Sequence, residues 1–170
     1  MDHLKLREGE ESEVYLDTSA KATVGVGHLL TAEEKELYPV GTTIDKEITD
    51  AWLEVDSVVA YNAGLDQAKE AGIADQKMVE ALGSVNYQLG RGWRKKFPSA
   101  WTAIKEGDFI EAVEQIKYKN KNTKEKSAWY KETSTRVEDF EKALKAYGKK
   151  TRPQDYALQQ MINEDNPLRV

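Results

Sequence analysis

The sequence predicts an α+β fold, in which a small lobe with a short sheet leads into one long helix and then into a larger helical lobe. Three observations predict it. Residues 14–26 are rich in Val, Thr and Tyr around the small, polar Ser19-Ala20-Lys21, the pattern of a β-hairpin. From Asp45 onward, apolar residues recur at helical spacing in one segment after another. Gly64, Gly90, Gly92 and Pro98 then punctuate those segments.

The elements follow in order. Leu4 to Glu8 reads as a short helix ended by Gly9. After the hairpin, Thr31-Ala32-Glu33-Glu34 sets a hydroxyl three residues before a carboxylate, which is a capping box, and its helix closes before Pro39. Asp45 caps a longer helix whose stripe is Ile48, Trp52, Val55 and Val59; it runs to about Asn62, before Gly64, and connects the lobes. Asp75 with Met78, Val79, Leu82 and Val85 marks a further helix, and others are expected over 99–104, 108–118 and 133–147.

One domain is expected over 1–147, with about 10–62 as small lobe and connecting helix and with 1–9 and 63–147 as helical lobe. Residues 148–170 form a C-terminal extension. Pro153 can open a helix there, and Tyr156, Ala157, Met161 and Ile162 fall close to a 3.6-residue stripe that would dock on the helical lobe.

Composition removes several function classes. The chain has no Cys, which excludes disulfides, thiolate zinc, Fe–S clusters and a cysteine nucleophile. Its two histidines, His3 and His28, leave no His-rich metal cluster, so no metal is expected. Residues 1–60 hold 14 acidic and 5 basic side chains, against 16 and 20 in the remainder. That asymmetry argues against a nucleic-acid partner and is compatible with a basic lobe touching an anionic polymer. The runs Arg91-Gly92-Trp93-Arg94-Lys95-Lys96 and 117–126 read as solvated faces or, more weakly, as contacts to an anionic wall. The first residues are charged and lack an apolar core, so neither signal peptide nor membrane insertion is expected, and the protein is assigned to the cytoplasm of the cell that makes it.

The densest chemistry lies in residues 8–28. Glu8 sits at a helix end and Asp17 at a hairpin turn. Cleaving a glycosidic bond requires one carboxylic acid to protonate the leaving oxygen and a second carboxylate to handle water or the anomeric carbon, and two carboxylates on different elements facing one cleft provide this. Asp17 is also compatible with an Asx-turn role. Glu8-Gly9, then Asp17-Thr18, then Thr23-Val24-Gly25-Val26-Gly27-His28 resembles, without a gap, the phage lysozymes of the T-even type, glycoside hydrolase family 24. Asn86-Tyr87-Gln88-Leu89-Gly90, Phe97-Pro98-Ser99 and Ser127-Ala128-Trp129-Tyr130 with Arg136 extend the resemblance over about 4–147.

The resemblance implies a lysozyme-like fold and a division of labour: Glu8 as general acid, Asp17 with Thr23 activating water on the opposite face of the sugar, and hence inversion. It also implies that Arg136 orients Glu8, that His28 and Asp56 form a structural ion pair, and that Leu29, Tyr87 and Gln88 touch saccharide. Tyr87 departs from the family's usual phenylalanine. Trp52, Trp101 and Trp129 read as core more than as sugar platforms, with Trp129 able to serve both purposes.

The expected function is that of a phage endolysin, a monomeric muramidase cutting the β-1,4 bond between N-acetylmuramic acid and N-acetylglucosamine in peptidoglycan and released to the wall by a holin. The alternatives are a lytic transglycosylase and a virion-associated or non-enzymatic wall-binding module. Asp17 and Thr23 argue for water as nucleophile and hence for hydrolysis, and Glu8, Asp17 and Thr23 together argue against a non-enzymatic module.

Overall fold

A computed structural model describes residues 10–154. The expected helix at Leu4 to Glu8, and Glu8 itself, lie outside the described residues, as does the stripe from Tyr156 to Ile162. The chain divides into two compact units between Val59 and Ala60.

The first unit is built on a three-stranded antiparallel sheet of order β1-β2-β3, comprising β1 (Glu11–Leu16), β2 (Ala22–Gly25) and β3 (His28–Leu29). Tyr15 pairs with Thr23 and Leu16 with Ala22; on the other side of β2, Thr23 pairs with Leu29 and Val24 with His28. The expected hairpin is therefore present, with a short third strand added. Gly27, at φ 84°, permits the tight reversal from β2 into β3. As the central strand, β2 is buried throughout, while β1 buries only Val14. Val14, Ala22, Val24, Leu30 and Ile44 form the core of this unit, with Tyr38, Ile48 and Trp52 against it.

Helix α1 (Ala32–Leu37) starts at the foreseen capping box. The Glu34 N–H donates to Thr31 Oγ1 at 3.2 Å, and the Thr31 N–H donates to Glu34 Oε2 at 2.8 Å.

Helix α2 (Lys46–Glu70) differs from expectation in two ways. It does not stop before Gly64 but continues to Glu70. A Cβ at Gly64 would lie 2.6 Å from Gly83 N and 2.8 Å from Val79 O, so the glycine serves a backbone-to-backbone approach to helix α3 (Gln76–Leu89). That contact offsets the roughly 1 kcal/mol that glycine costs inside a helix. The buried face is also rotated from the one expected: Val55 and Val59 are exposed, while Leu53, Ala60, Ala63 and Ala68 are buried. Small residues sit where the helix packs closely, so the stripe of largest side chains is not the inward one.

The second unit continues with α3, whose N-cap Asp75 accepts from the Met78 N–H at 3.1 Å. It is followed by α4 (Trp93–Lys96), α5 (Pro98–Glu106), α6 (Phe109–Lys117), the hairpin β4 (Tyr118–Asn120) and β5 (Glu125–Lys126), α7 (Ala128–Glu132) and α8 (Ser134–Thr151). Helix α8 extends past the expected residue 147, and Gly148 is buried within it. Trp93 is fully buried at the centre of this core and makes edge-on contacts with Trp101 and Phe140 at 5.8 and 6.0 Å.

A buried polar network accompanies that apolar packing. Gln67 Nε2 donates to Asn86 Oδ1 at 2.9 Å, Asn86 Nδ2 donates to Gln67 Oε1 at 2.8 Å and to Leu82 O at 2.7 Å, and Trp93 Nε1 donates to Gln67 Oε1 at 3.0 Å. An indole N–H can only donate and a carbonyl only accept, so both amides have one consistent orientation.

The 117–126 run, read from sequence as a solvated basic face, folds as the β4–β5 hairpin and is neutralised internally. Lys117 pairs with Glu141 at 3.0 Å, Lys121 with Glu111 at 2.5 Å, and Lys124 with Glu114. The ammonium groups of Lys124 and Lys126 also lie 4.5 and 4.6 Å from the ring centroids of Tyr118 and Tyr130. In the other run, Arg91 pairs with Asp66 and Arg94 with Glu70.

Gly64→Ala is expected to destabilise the protein by about 1–3 kcal/mol, because backbone rather than a flexible side-chain end must move. Gly92→Ala, with nothing within 4 Å of its Cβ, serves as the control and stays within about 0.5 kcal/mol. Urea midpoints at unchanged m-value measure both; equal midpoints for the two variants would contradict the close approach.

Candidate active site

The turn between β1 and β2 positions Asp17. Its Oδ1 accepts the backbone N–H groups of Ser19 and Lys21, both at 2.8 Å, and its own N–H donates to Lys21 O at 2.9 Å. Ala20 closes the turn at φ 58°, a left-handed conformation that costs a non-glycine residue roughly 1–2 kcal/mol. The Asx-turn role and availability for chemistry coexist, since no described residue bonds the other oxygen, Oδ2, and the residue is half-buried.

Thr23 is buried on β2, and its hydroxyl donates to Lys21 O at 3.0 Å. The same carbonyl therefore receives both the Asp17 N–H and the Thr23 hydroxyl, which ties the two residues to one peptide group. With its proton committed, the Thr23 oxygen retains acceptor capacity for a water.

His28 occupies the start of β3, stacked on Trp52 with ring centroids 4.5 Å apart and planes at 8°. Its Nδ1 lies 2.7 Å from Asp56 Oδ2 on α2, and its Nε2 lies 3.2 Å from Glu34 Oε2 on α1. The structure thus brings His28 and Asp56 together and adds Glu34, which the sequence reading assigned only to the cap. Carboxylates at both ring nitrogens favour the doubly protonated ring, in which each nitrogen donates. Burial by itself pulls the imidazole pKa down, but the hydrogen bonds and charges of Asp56 and then Glu34 outweigh it, so His28 titrates above its ordinary 6.5. Burial pushes Glu34 upward, yet the Thr31 N–H and His28 hold its carboxyl below its ordinary 4.5.

In the second unit, Tyr87 and Gln88 are half-buried on the last turns of α3, and Gln88 Oε1 accepts from Trp129 Nε1 at 2.9 Å. Arg136 is buried on α8, with Nη1 at 3.5 Å from both Ser84 O and Ser84 Oγ. Leu29 is exposed on β3. Trp101 and Trp129 are core residues and Trp52 is half-buried. The sequence reading missed the central Trp93: it is the lone large apolar residue of the run Arg91 to Lys96, which read as a solvated face, and it is fully buried. Among the described residues no group of three His, Asp or Glu is arranged to hold a metal ion, and no helix is long and apolar enough to cross a membrane.

A small sheet unit bearing an Asp–Thr pair on its hairpin, joined in sequence to a mostly helical unit, is the arrangement of a lysozyme-type α+β protein. The phage lysozyme profile matches residues 5–132, and the chain belongs to that family. The matched segment includes Glu8, Asp17, Thr23, Leu29, Tyr87, Gln88 and Trp129, and ends before Arg136. The chain is 28% identical over 137 residues to Peptidoglycan hydrolase gp36 of Pseudomonas phage phiKMV, an alignment covering 81% of this chain and 14% of that protein. It is 28% identical over 142 residues to Probable T4-type lysozyme 2 of Dictyostelium discoideum, covering 72% of this chain and 84% of that one.

The His28 cluster predicts a pH-dependent stability. The folded pKa of His28 is raised, so its contribution is complete below about 6.5 and is lost as pH rises through the folded value. The Glu34 pKa is lowered, so its contribution is present above about 4.5 and is lost as pH falls through the folded value. His28→Asn is therefore expected to lose most stability between about pH 4.5 and 6.5, and least at alkaline pH. Glu34→Gln, which retains a cap acceptor, should reduce that difference. Denaturant unfolding of the four proteins of this double-mutant cycle measures both effects; a pH-independent loss in His28→Asn would exclude a charged His28.

Proposed function

We propose that the chain is a peptidoglycan-cleaving lysozyme, specifically a muramidase that hydrolyses the β-1,4 bond between N-acetylmuramic acid and N-acetylglucosamine. The observation that carries this reading is the Asp17–Thr23 pair tied to the Lys21 peptide, within a segment that matches the phage lysozyme family and also includes Glu8. The relatives named as a peptidoglycan hydrolase and a probable lysozyme support the substrate class.

In the proposed mechanism Glu8 protonates the glycosidic oxygen as the bond breaks and the sugar develops oxocarbenium character. Asp17, held through Oδ1 by two backbone N–H groups, takes a proton from water through Oδ2. Thr23, its own proton given to Lys21 O, accepts the water's second hydrogen and fixes its direction. Attack on the face opposite the leaving group inverts the anomeric centre. Arg136, a buried guanidinium that stays charged, is the proposed orienting cation for Glu8. Leu29, Tyr87 and Gln88 are the proposed saccharide contacts. The biological role proposed is lysis of a bacterial host by a monomeric endolysin, without a cofactor, that reaches the wall from the cytoplasm through a holin.

A lytic transglycosylase uses the acid and closes the sugar on itself, with no need of a held water. The Asp17–Thr23 arrangement favours hydrolysis over that outcome.

Clearing of permeabilised Gram-negative cells tests activity, and mass spectrometry of the fragments separates hydrolysed from anhydro ends. Glu8→Gln is expected to lower kcat by about 10²–10⁴ at an unchanged melting temperature. NMR of the first product is expected to show the α-anomer. Full clearing by Glu8→Gln would remove that residue from the mechanism, and a β-anomer would remove inversion.

A further inference from the structure

We propose that Tyr15 determines which nucleophile the enzyme accepts: with Leu29 it walls a slot in which Thr23 holds the attacking water, and the slot is too narrow for a hydroxyl compound larger than water. The inference rests on the hydrolytic reading and adds to it the reason that water alone is used.

The walls follow from strand register. Tyr15 on β1 lies directly opposite Thr23 on β2, and Thr23 lies directly opposite Leu29 on β3. Residues directly opposite share a face of the sheet, with Cβ atoms about 4.5–5.5 Å apart. Val14, Ala22 and Val24, one step along their strands, belong to the buried core, so the row Tyr15, Thr23, Leu29 occupies the other face. Asp17 stands two residues beyond Tyr15, the interval that returns a strand to the same face, and its N–H shares Lys21 O with the Thr23 hydroxyl.

Side-chain length turns the row into a slot. Thr23 is 3% exposed although it faces away from the core, while Tyr15 and Leu29 are 38% and 49% exposed. A phenol ring and an isobutyl group project further from the sheet than a threonine hydroxyl, so the short polar residue lies on a floor between two longer walls. It is the ring of Tyr15, not its hydroxyl, that forms the wall. Methanol measures the width of such a slot, because it carries the O–H of water and adds one carbon. Its O–H proton passes to Asp17, its oxygen bonds the anomeric carbon, the glycosidic C–O bond breaks, and the leaving oxygen takes the Glu8 proton. The product is a methyl glycoside instead of a free reducing end. Methanol forgoes the hydrogen bond to Thr23 in every variant alike, so differences between variants report the walls. A filled apolar pocket discriminates one added carbon by about 10–200-fold.

The test digests sacculi in buffer containing methanol and measures, by mass spectrometry, the ratio of methyl glycosides to free reducing ends. Tyr15→Ala is expected to raise that ratio over the wild type by at least about tenfold, and Leu29→Ala, which opens the other wall, to raise it as well. Tyr15→Phe keeps the ring and should match the wild type. A purely structural role for Tyr15 would lower the total rate and leave the ratio unchanged. If Tyr15→Ala does not fold, Tyr15→Leu, which also shortens the wall, takes its place. An unchanged ratio in whichever of these two truncations folds, or a Tyr15→Phe ratio as high as theirs, overturns the inference while leaving the muramidase reading intact. Wild-type products with anhydro ends alone, or no cleavage at all, sink the hydrolytic reading and this inference with it.

Discussion

The backbone contact between α2 and α3 at Gly64 and Gly83 is the constraint on which the helical unit depends. With no side chain between them, the helices come close enough for the next turn of each to join: Gln67 on α2 and Asn86 on α3 bond reciprocally, and the Trp93 indole closes the network. A buried amide pair left half satisfied would be worse than an apolar core, so these bonds specify a single register for α3. That register fixes the direction in which Tyr87 and Gln88, one and two residues beyond Asn86, leave the helix. Packing chemistry at one point of the core thus sets the presentation of candidate contact residues at the surface.

The first unit is organised by polar groups to a greater degree. Its apolar core is small, centred on Val14, Val24, Leu30 and Ile44. His28 compensates by linking three elements, β3 through its own backbone, α1 through Glu34 and α2 through Asp56, while its ring face packs on Trp52. Glu34 has two functions at once, as acceptor for the Thr31 N–H that starts α1 and as partner of the imidazole. The stability of the sheet unit and the start of a helix are therefore coupled to one titration. The hairpin turn shows the same economy, since one peptide group, Lys21, orders both Asp17 and Thr23.

Charge has a different meaning in the fold than in the sequence. The acidic excess over residues 1–60 and the basic excess thereafter are real. Yet the lysines of 117–126 meet Glu111, Glu114 and Glu141 from neighbouring helices, and several lie over tyrosine rings. A run of like charge along the chain is thus neutralised by residues roughly ten to twenty-five positions away, which weakens the case for that segment as a wall-binding surface.

Features set within four residues were legible from the letters alone: the capping box at Thr31 and Glu34, the helix start at Asp75, and the turn at Asp17. Each depends on hydrogen bonds whose partners are sequence neighbours, so spacing specifies geometry. The residues given chemical roles were also named from sequence, and Glu8 stands on the motif alone. Features that depend on distant partners were not legible. Gly64 read as a helix end because its neighbour Gly83 lies nineteen residues away; Val55 and Val59 read as core because hydrophobicity does not say which face another helix covers. The bond from Trp129 to Gln88 spans 41 residues. Such pairings arise only when whole elements pack, because the shape of the packed surface and the satisfaction of buried polar groups choose among faces that the local pattern leaves equivalent.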